Sequence, residues 1–415
     1  MSSKRMTLAE LLSLSLGMST LFGFVQIVGF IIRIIFRQSL GSDQYGVFAY
    51  LITLFIFLVT MNGFSMNVPL ISRISKEPTD EEFYQGALSQ VFPSSILFGT
   101  GLAFIFILSA FWTTYNWLEI LYLALMIVLY STSQIVHCFP RGRERFKPAS
   151  MSLILVGSGR IVMLISYLLL FAGNLLFALF AYTLPFIGWW ASYLYHEGFP
   201  SLQRPRLRFM LSIYRDAFIS YLYPLGVQIP IVLGVVLLTS FHGFGAAGDF
   251  DIALLPYSGL AAIFTGIEFV TISKARKLPE FRALLRRTAI IVAFPLYAIA
   301  IMLIFAAIIL EDTGIGLLLA LGLPIHIYWP IIIAVALGVP GAVLLSLLVS
   351  YFHGRGIIKP VGIIIIVCVA CSIPIQMALA YFLSISGVVL SVILVNLVIV
   401  LFLIIYGYLR SDASA

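Results

Sequence analysis

Pro140-Arg141-Gly142-Arg143-Glu144-Arg145-Phe146-Lys147-Pro148 is a basic segment, and an apolar stretch of membrane-spanning length follows it as far as Phe171. One arginine, Arg160, stands within that stretch. At ~1.5 Å of rise per helical residue, Arg160 lies about 18 Å beyond Pro148. That is near the midplane of a hydrocarbon core ~30 Å thick. An arginine at this depth costs at least ~2.5 kcal/mol, so we expect it to face a cavity or a partner rather than lipid.

The composition of the whole chain is typical of a polytopic membrane protein. Of its 415 residues, 61% are hydrophobic and 10% are charged, and the mean hydropathy is +1.10. These values exclude a soluble globular protein. The net charge of +7 follows from where the basic residues stand, so we expect no nucleic acid partner. The N-terminus is short and polar, and we expect no removed signal peptide.

Hydropathy predicts twelve membrane-spanning helices. Their expected bounds are 11–36, 46–70, 88–110, 118–139, 149–172, 175–195, 212–240, 251–273, 288–310, 326–352, 361–383 and 387–409. All but three of the 24 lysines and arginines fall in alternate loops or near the termini, and the exceptions are Arg33, Arg37 and Arg160. Since basic residues concentrate on the cytoplasmic side, we predict that both termini are cytoplasmic.

The two halves of the sequence carry a weak internal repeat. Gly142-Arg143-x3-Lys147-Pro148 recurs as Gly354-Arg355-x3-Lys359-Pro360, and Ile71-Ser72-Arg73 recurs as Ile272-Ser273-Lys274. We therefore predict two six-helix lobes, residues 1–200 and 212–415, which a basic cytoplasmic linker at 201–211 joins. Lobes related in this way are expected to pack around a central cavity and to rock against each other. The alternative is that basic loops simply look alike.

The first hairpin resembles a known family. Its pattern is Arg37-x2-Leu40-Gly41-x3-Tyr45-Gly46-x-Phe48, and Asn62-Gly63-Phe64 follows. This pattern and the two Gly-Arg-x3-Lys-Pro turns are similar to polysaccharide flippases of the multidrug/oligosaccharidyl-lipid/polysaccharide (MOP) exporter superfamily. The resemblance implies export of a lipid-linked oligosaccharide across the cytoplasmic membrane, where the protein is then expected to lie, with no enzymatic step and no cofactor. It also implies membrane lipids as partners, and a glycan polymerase or ligase as a further one. Twelve spans make the peptidoglycan-precursor branch, which generally has fourteen, the weaker match.

The candidate substrate-binding residues are arginines and amides within apolar spans. Arg160 is a candidate for the pyrophosphate, because a guanidinium group binds phosphate oxygens with a planar fork. The alternative is a structural arginine that is paired inside the bundle. Arg33 and Arg37 are candidates for phosphate or acidic sugars late in transport, or extend to the outer interface. Amides suit sugar hydroxyls, although hydrogen bonding between helices explains them equally well. The candidate amides for binding the sugar are Asn62, Asn67 and Gln228.

Two carboxylates are candidates for coupling transport to H+ or Na+. Glu268 could carry the coupling proton, or could pair with Lys274. Asp251 stands with Asp249 at the start of the eighth span, where a solvated helix N-terminus is the simpler explanation. No spacing of histidines or cysteines indicates a metal site, and we expect none.

The seventh span contains the main hinge candidate. Pro224 and Pro230 bracket Gly226 there, and two prolines so close together should bend a helix. A static kink is the alternative, because membrane helices tolerate proline.

Three other functions compete with the flippase. A multidrug exporter of the same superfamily would favour an acidic cavity, whereas the deepest charge here is a cation. A membrane glycosyltransferase or polymerase would need acidic catalytic residues in a sizeable loop, and the outer loops are short. A lipid scaffold without transport would not need so many polar residues within its spans.

Overall fold

The computed structural model describes residues 8–74, 81–111, 116–200, 207–274 and 294–413, and this part of the chain contains helices and no strands. The α-helices are α1 (Leu8–Leu40), α2 (Ser42–Ile74), α3 (Glu81–Phe111), α4 (Trp117–Val136), α5 (Cys138–Gly142), α6 (Lys147–Leu170), α7 (Leu175–Thr183), α8 (Ile187–Glu197), α9 (Leu207–His242), α10 (Phe244–Lys274), α11 (Phe294–Ile309), α12 (Glu311–Ala320), α13 (Tyr328–Ile333), α14 (Val339–Gly354) and α15 (Lys359–Ala413).

The chain is an all-α polytopic membrane protein. Within the described residues, nine helical segments are long and apolar enough to cross a bilayer, and α11 with α12, bent by 84°, would make a tenth. The longest helix, α15, consists of two legs that meet at Ser384, where the backbone is not helical (φ 49°, ψ −130°). This break falls between the eleventh and twelfth predicted spans. The total of twelve spans and the side on which the termini lie remain predictions.

Single glycines join consecutive helices at two hairpin turns. Gly41 separates α1 from α2 with φ 77°, and Gly243 separates α9 from α10 with φ 84°. A residue with a Cβ rarely adopts these angles, which explains the residue type at both turns. The first hairpin belongs to the first half of the sequence and the second hairpin to the second half, at equivalent places in the repeat.

The repeated Gly-Arg-x3-Lys-Pro sequence forms the same turn twice. In residues 142–147 and 354–359, a helix ends at the glycine and the next helix begins at the lysine. The arginine after the glycine has φ −89° in the first copy and −87° in the second. The residue after that is left-handed in both copies, Glu144 with φ 59° and Gly356 with φ 79°. The internal repeat is therefore a repeat of backbone conformation at this point.

Contacts divide the chain into two compact units. Unit 1 comprises Met1–Tyr50, Ile229–Arg355 and Ile363–Ala415, and unit 2 comprises Leu51–Gln228 and Gly356–Gly362. By its contacts, α1 therefore groups with the second half of the sequence. The lobes 1–200 and 212–415 remain a prediction about which parts of the protein move together.

The core of unit 2 is built around stacked aromatic rings. Helix α3 packs on α4, and α6 packs on α8. The rings of Tyr130 and Phe186 stack with centroids 4.1 Å apart, and Phe55 stacks on both at 6.3 Å. A 3-10 turn, Leu184–Phe186, interrupts the sixth predicted span between α7 and α8. That span was predicted as one continuous helix, and Pro185 within the turn explains the interruption because proline has no N–H to donate.

Unit 1 is organised around α10, which packs against α1 and α14. A π-helical turn, Ala334–Gly338, precedes α14. An added Cβ at Gly338 would lie 2.8 Å from the Tyr257 ring, so the glycine allows this turn to contact α10 closely. The two legs of α15 enclose an apolar groove of about 700 Å³.

Candidate functional site

Four side chains of opposite charge meet where α1 and α10 lie next to the two hairpin turns. The Arg33 Nη1 atom lies 2.6 Å from Asp251 Oδ1, and the Arg37 Nη2 atom lies 2.8 Å from Asp249 Oδ1. Arg33 and Arg37 are one turn apart on α1, so their side chains project from the same face of the helix. At these distances both ion pairs are charge-assisted hydrogen bonds.

Two further side chains complete what we name the arginine–aspartate cluster. The Tyr45 hydroxyl donates to Asp251 Oδ2 at 2.5 Å. The His326 Nε2 atom lies 3.2 Å from Asp249 Oδ2. Each carboxylate therefore has one arginine and one aromatic side chain as neighbours. The cluster consists of Arg33, Arg37, Tyr45, Asp249, Asp251 and His326.

The charged groups of the cluster are largely buried. The side chains of Arg33 and Asp251 are each 11% exposed, and those of Arg37 and Asp249 are 12% and 10% exposed. A solvated helix start was the simpler prediction for the two aspartates, and it is wrong because both carboxylates are buried against a guanidinium group. The outward extension considered for Arg37 is wrong for the same reason. Removing one partner of such a pair typically costs about 3–5 kcal/mol, since it leaves a buried charge without compensation.

Glycines bring the starts of α2 and α10 into backbone contact beside the cluster. An added Cβ at Gly46 would overlap the Phe244 carbonyl oxygen. An added Cβ at Gly248 would lie 3.1 Å from the Gly46 nitrogen, and one at Gly245 would lie 2.9 Å from Ser42 Oγ. The crossing of the two helices therefore requires glycine, which gives a physical reason for Gly46 in the first-hairpin motif.

Arg160 lies inside unit 2, where its side chain is surrounded by aromatic rings. The residue is 3% exposed. Its guanidinium carbon lies 4.2 Å from the centroid of the Tyr182 ring and 4.9 Å from that of Phe186. Its Nε donates to the Tyr182 carbonyl at 3.3 Å, just before the 3-10 turn. These contacts are of the kind expected for a structural arginine, and a role in phosphate binding stays a prediction.

The other candidates do not join the cluster. Gln228 is half-buried in α9, which runs without interruption through Pro224, Gly226 and Pro230. The boundary between unit 1 and unit 2 falls between Gln228 and Ile229, but the hinge stays a prediction. Asn62 and Asn67 belong to α2 and Glu268 to α10. The side chains of these three lie outside the described residues.

No metal centre is found in the part of the chain that the structure describes. No group of three or more His, Cys, Asp or Glu side chains there could hold a metal ion. The three cysteines are free thiols, two of which, Cys368 and Cys371, line the groove in α15.

Sequence analysis did not predict that Arg33 and Arg37 pair with Asp251 and Asp249, because the two segments are far apart in the chain. One signal could have indicated it. The spacing between Ile71 and Ile272 makes Gly41 and Gly243 equivalent turns of the repeat, and repeats of this kind are related by a pseudo-symmetry axis. No feature of the sequence indicated that His326 lies next to Asp249.

Solved transporter structures share this helical architecture. A MOP superfamily transporter from Pyrococcus furiosus, whose binding pocket of reverse polarity suggests a different function, has a TM-score of 0.65 at 17% identity, over 96% of this chain and 95% of that one. An outward-facing multidrug resistance MATE family transporter has a TM-score of 0.65 at 16% identity, over 96% and 95%. A MATE structure in the bent conformation has a TM-score of 0.62 at 17% identity, over 97% and 95%. The fold is therefore that of MOP superfamily transporters.

The family model for polysaccharide biosynthesis proteins matches residues 13–274. The chain therefore belongs to the polysaccharide biosynthesis protein family, and the resemblance noted in the sequence is confirmed. No curated protein sequence matches the chain.

Proposed function

We propose that this protein is a flippase that moves a lipid-linked oligosaccharide, a glycan joined to a polyprenyl chain by pyrophosphate, across the cytoplasmic membrane. The observation that carries the proposal is membership of the polysaccharide biosynthesis family in a chain with the MOP transporter fold. The family relates the protein to polysaccharide assembly, and the fold supports transport. The proposed step is a movement across the membrane and makes or breaks no covalent bond.

Alternating access is the proposed mechanism. The two six-helix lobes of the twelve-span topology would open to one side of the membrane at a time, with the glycan and pyrophosphate in a cationic cavity and the polyprenyl tail in lipid. The position of three arginines supports this choice. Arg33, Arg37 and Arg160 stand within helices long and apolar enough to span a membrane, and guanidinium groups suit phosphate oxygens.

Coupling and partners complete the proposal. Asp251 and Glu268 are the candidates for coupling to H+ or Na+. Membrane lipids surround the protein, and a polymerase or ligase would receive the glycan after transport. In this scheme Arg160, Arg33, Arg37, Asn62, Asn67 and Gln228 are the candidate contacts with the substrate.

The proposal is tested with purified protein in liposomes. A fluorescent lipid-linked oligosaccharide is incorporated in both leaflets, and a membrane-impermeant glycosidase is added outside. Empty liposomes should lose about half of the intact glycolipid, whereas liposomes with the protein should lose nearly all of it. Loss that stops at half in the presence of folded protein would overturn the flippase.

A multidrug exporter remains the second candidate, since MATE multidrug transporters share the fold. The same liposomes distinguish the two functions. A cationic dye should not be concentrated under a proton or sodium gradient if the protein is a flippase. Accumulation of the dye without movement of the glycolipid would support the exporter.

A further inference from the structure

We propose that the arginine–aspartate cluster is the gate that closes the outer end of the transport pathway, and that the structure has this gate closed. The proposal rests on the flippase proposed above and on the predicted topology, which places the turns at Gly41 and Gly243 outside. It assigns to Arg33, Arg37, Asp249 and Asp251 a joint role that the separate substrate and coupling predictions did not contain.

The first argument is the origin of the partners. The arginines and Tyr45 come from the hairpin of α1 and α2, and the aspartates come from α10, next to its hairpin with α9. The two hairpins belong to opposite halves of the repeat. Of the four charged side chains, the first half of the repeat therefore supplies both cations and the second half both anions, within one compact unit. We call this contact between the α1–α2 hairpin and α10 the joint.

The second argument is how tightly the joint is closed. At Gly46, the backbone of α2 lies directly against the backbone of α10 at Phe244. The rings of Tyr50 and Phe244 meet edge to face with centroids 5.9 Å apart, and an added Cβ at Gly248 would lie 3.0 Å from the Tyr45 ring. Backbones in direct contact leave no passage for a sugar between these helix ends.

The third argument is that a joint of this kind can open. A purely apolar contact would expose hydrocarbon surface to water when it separated. Paired charges behave differently, because each recovers its hydration on opening, so the net free energy of a buried ion pair is small. A gate must open in every cycle, and the paired charges keep the closed and open states close in free energy.

A disulfide across the joint provides the direct test. An added Cβ at Gly245 would lie 2.9 Å from Ser42 Oγ, close to the ~3 Å between a Cβ and the opposite sulfur that an S–S bond of about 2.05 Å sets. The variant Ser42→Cys/Gly245→Cys is made after the three native cysteines have been replaced by alanine. Oxidation should stop movement of the glycolipid in liposomes, and reduction should restore it. The matched controls are the two single-cysteine variants, in which oxidation should change nothing. Unchanged movement in fully cross-linked protein would overturn the gate.

The charges are tested without any substrate. Ala247, which is fully buried on α10 beside the cluster, is replaced by cysteine in the same background, and its labelling by an impermeant maleimide is followed from outside. Asp251→Asn leaves Arg33 facing a neutral partner, so labelling should rise several-fold. The double variant Arg33→Gln/Asp251→Asn removes both charges and should return labelling towards the parent rate. A single variant that labels no faster than the parent would contradict the proposal, as would a double variant that labels as fast as the single one.

The two proposals fail separately. If the parent protein moves no lipid-linked glycan, the flippase is wrong, while maleimide labelling still reports whether the cluster opens. If the glycolipid moves but neither the disulfide nor the charge variants have the expected effect, the gate is wrong and the flippase stands.

Discussion

At the residue scale, Arg160 has two alternative roles. It either binds the pyrophosphate of the glycolipid or is a structural arginine inside the helix bundle. Its Nε donates to the Tyr182 carbonyl, and its guanidinium group lies over two aromatic rings. We predict that Arg160→Ala abolishes binding of the glycolipid, because the pyrophosphate loses its bidentate partner. Arg160→Lys should lose part of it, because the charge remains and the planar fork does not. The measurement is glycolipid binding and melting temperature on the same purified variants.

A neighbouring glycine supplies the control for packing. An added Cβ at Gly159 would lie 3.2 Å from Pro185 Cβ, so Gly159→Ala disturbs the same contact between α6 and the 3-10 turn without changing charge. It should lower the melting temperature and leave binding by the folded protein near the parent value. If Arg160→Ala behaves like this control, Arg160 is structural.

Sequence could identify the unusual residues but not all of their partners. The positions of Arg33, Arg37 and Arg160 stand out because basic residues otherwise follow the membrane topology. Their neighbours depend on how helices far apart in sequence pack. Asp249 was therefore interpreted from local sequence as a solvated helix start, although in the folded chain it is buried against Arg37.

At the scale of single elements, α9 is the helix that we expect to bend during transport. It contains Pro224, Gly226 and Pro230, and each proline removes one backbone hydrogen bond. We predict that Pro224→Ala/Pro230→Ala slows movement of the glycolipid at least several-fold while head-group binding stays near the parent value. The initial rate in liposomes and the binding affinity are measured together.

The control for this double variant is Pro256→Ala in α10, which removes a proline from another long helix. It should change the transport rate less than the double variant does. Equal rates for the parent and the α9 variant would leave the prolines without a role in movement.

In the repeated turn, we predict that substitutions at two equivalent positions change the stability of the protein in opposite directions. Glu144 and Gly356 both have positive φ, which favours glycine over any residue with a Cβ. Gly356→Ala should destabilise the protein by roughly 1 kcal/mol or more, and Glu144→Gly should be neutral or stabilising. Thermal unfolding in detergent measures both. A lower melting temperature for Glu144→Gly than for Gly356→Ala would contradict the shared turn conformation.

Element bounds were predicted well where local sequence determines them. The polar sequence around Ser384 indicated the break in α15, because it interrupts a strongly apolar run. The π-helical turn Ala334–Gly338 gave no such signal, since it lies inside an apolar stretch and depends on how Gly338 packs against Tyr257.

At the scale of the whole molecule, hydropathy and the distribution of basic residues predicted an all-α membrane protein, and the fold agrees. The division of the helices into two compact units could not be predicted from hydropathy or charge. Helix α1 groups with the second half, and the charges that tie it to α10 are distant in sequence. The orientation of the protein in the membrane is predicted from the uneven distribution of basic residues, and labelling tests it.

Orientation is the prediction on which every assignment of an inner or outer side depends. Basic residues cluster in alternate loops, and the energetic preference for keeping them in the cytoplasm predicts which loops face outward. Single cysteines are introduced at Trp117 and Asp312, which are expected outside, and at Arg145, which is expected inside. Trp117 is 50% exposed and the Arg145 side chain is 59% exposed, so the rest of the chain does not cover either position. In intact cells an impermeant maleimide should label positions 117 and 312 and spare 145, and after permeabilisation it should label all three. The opposite pattern in intact cells would place the arginine–aspartate cluster at the cytoplasmic end, where the same contacts would close the entrance to the pathway instead of its exit.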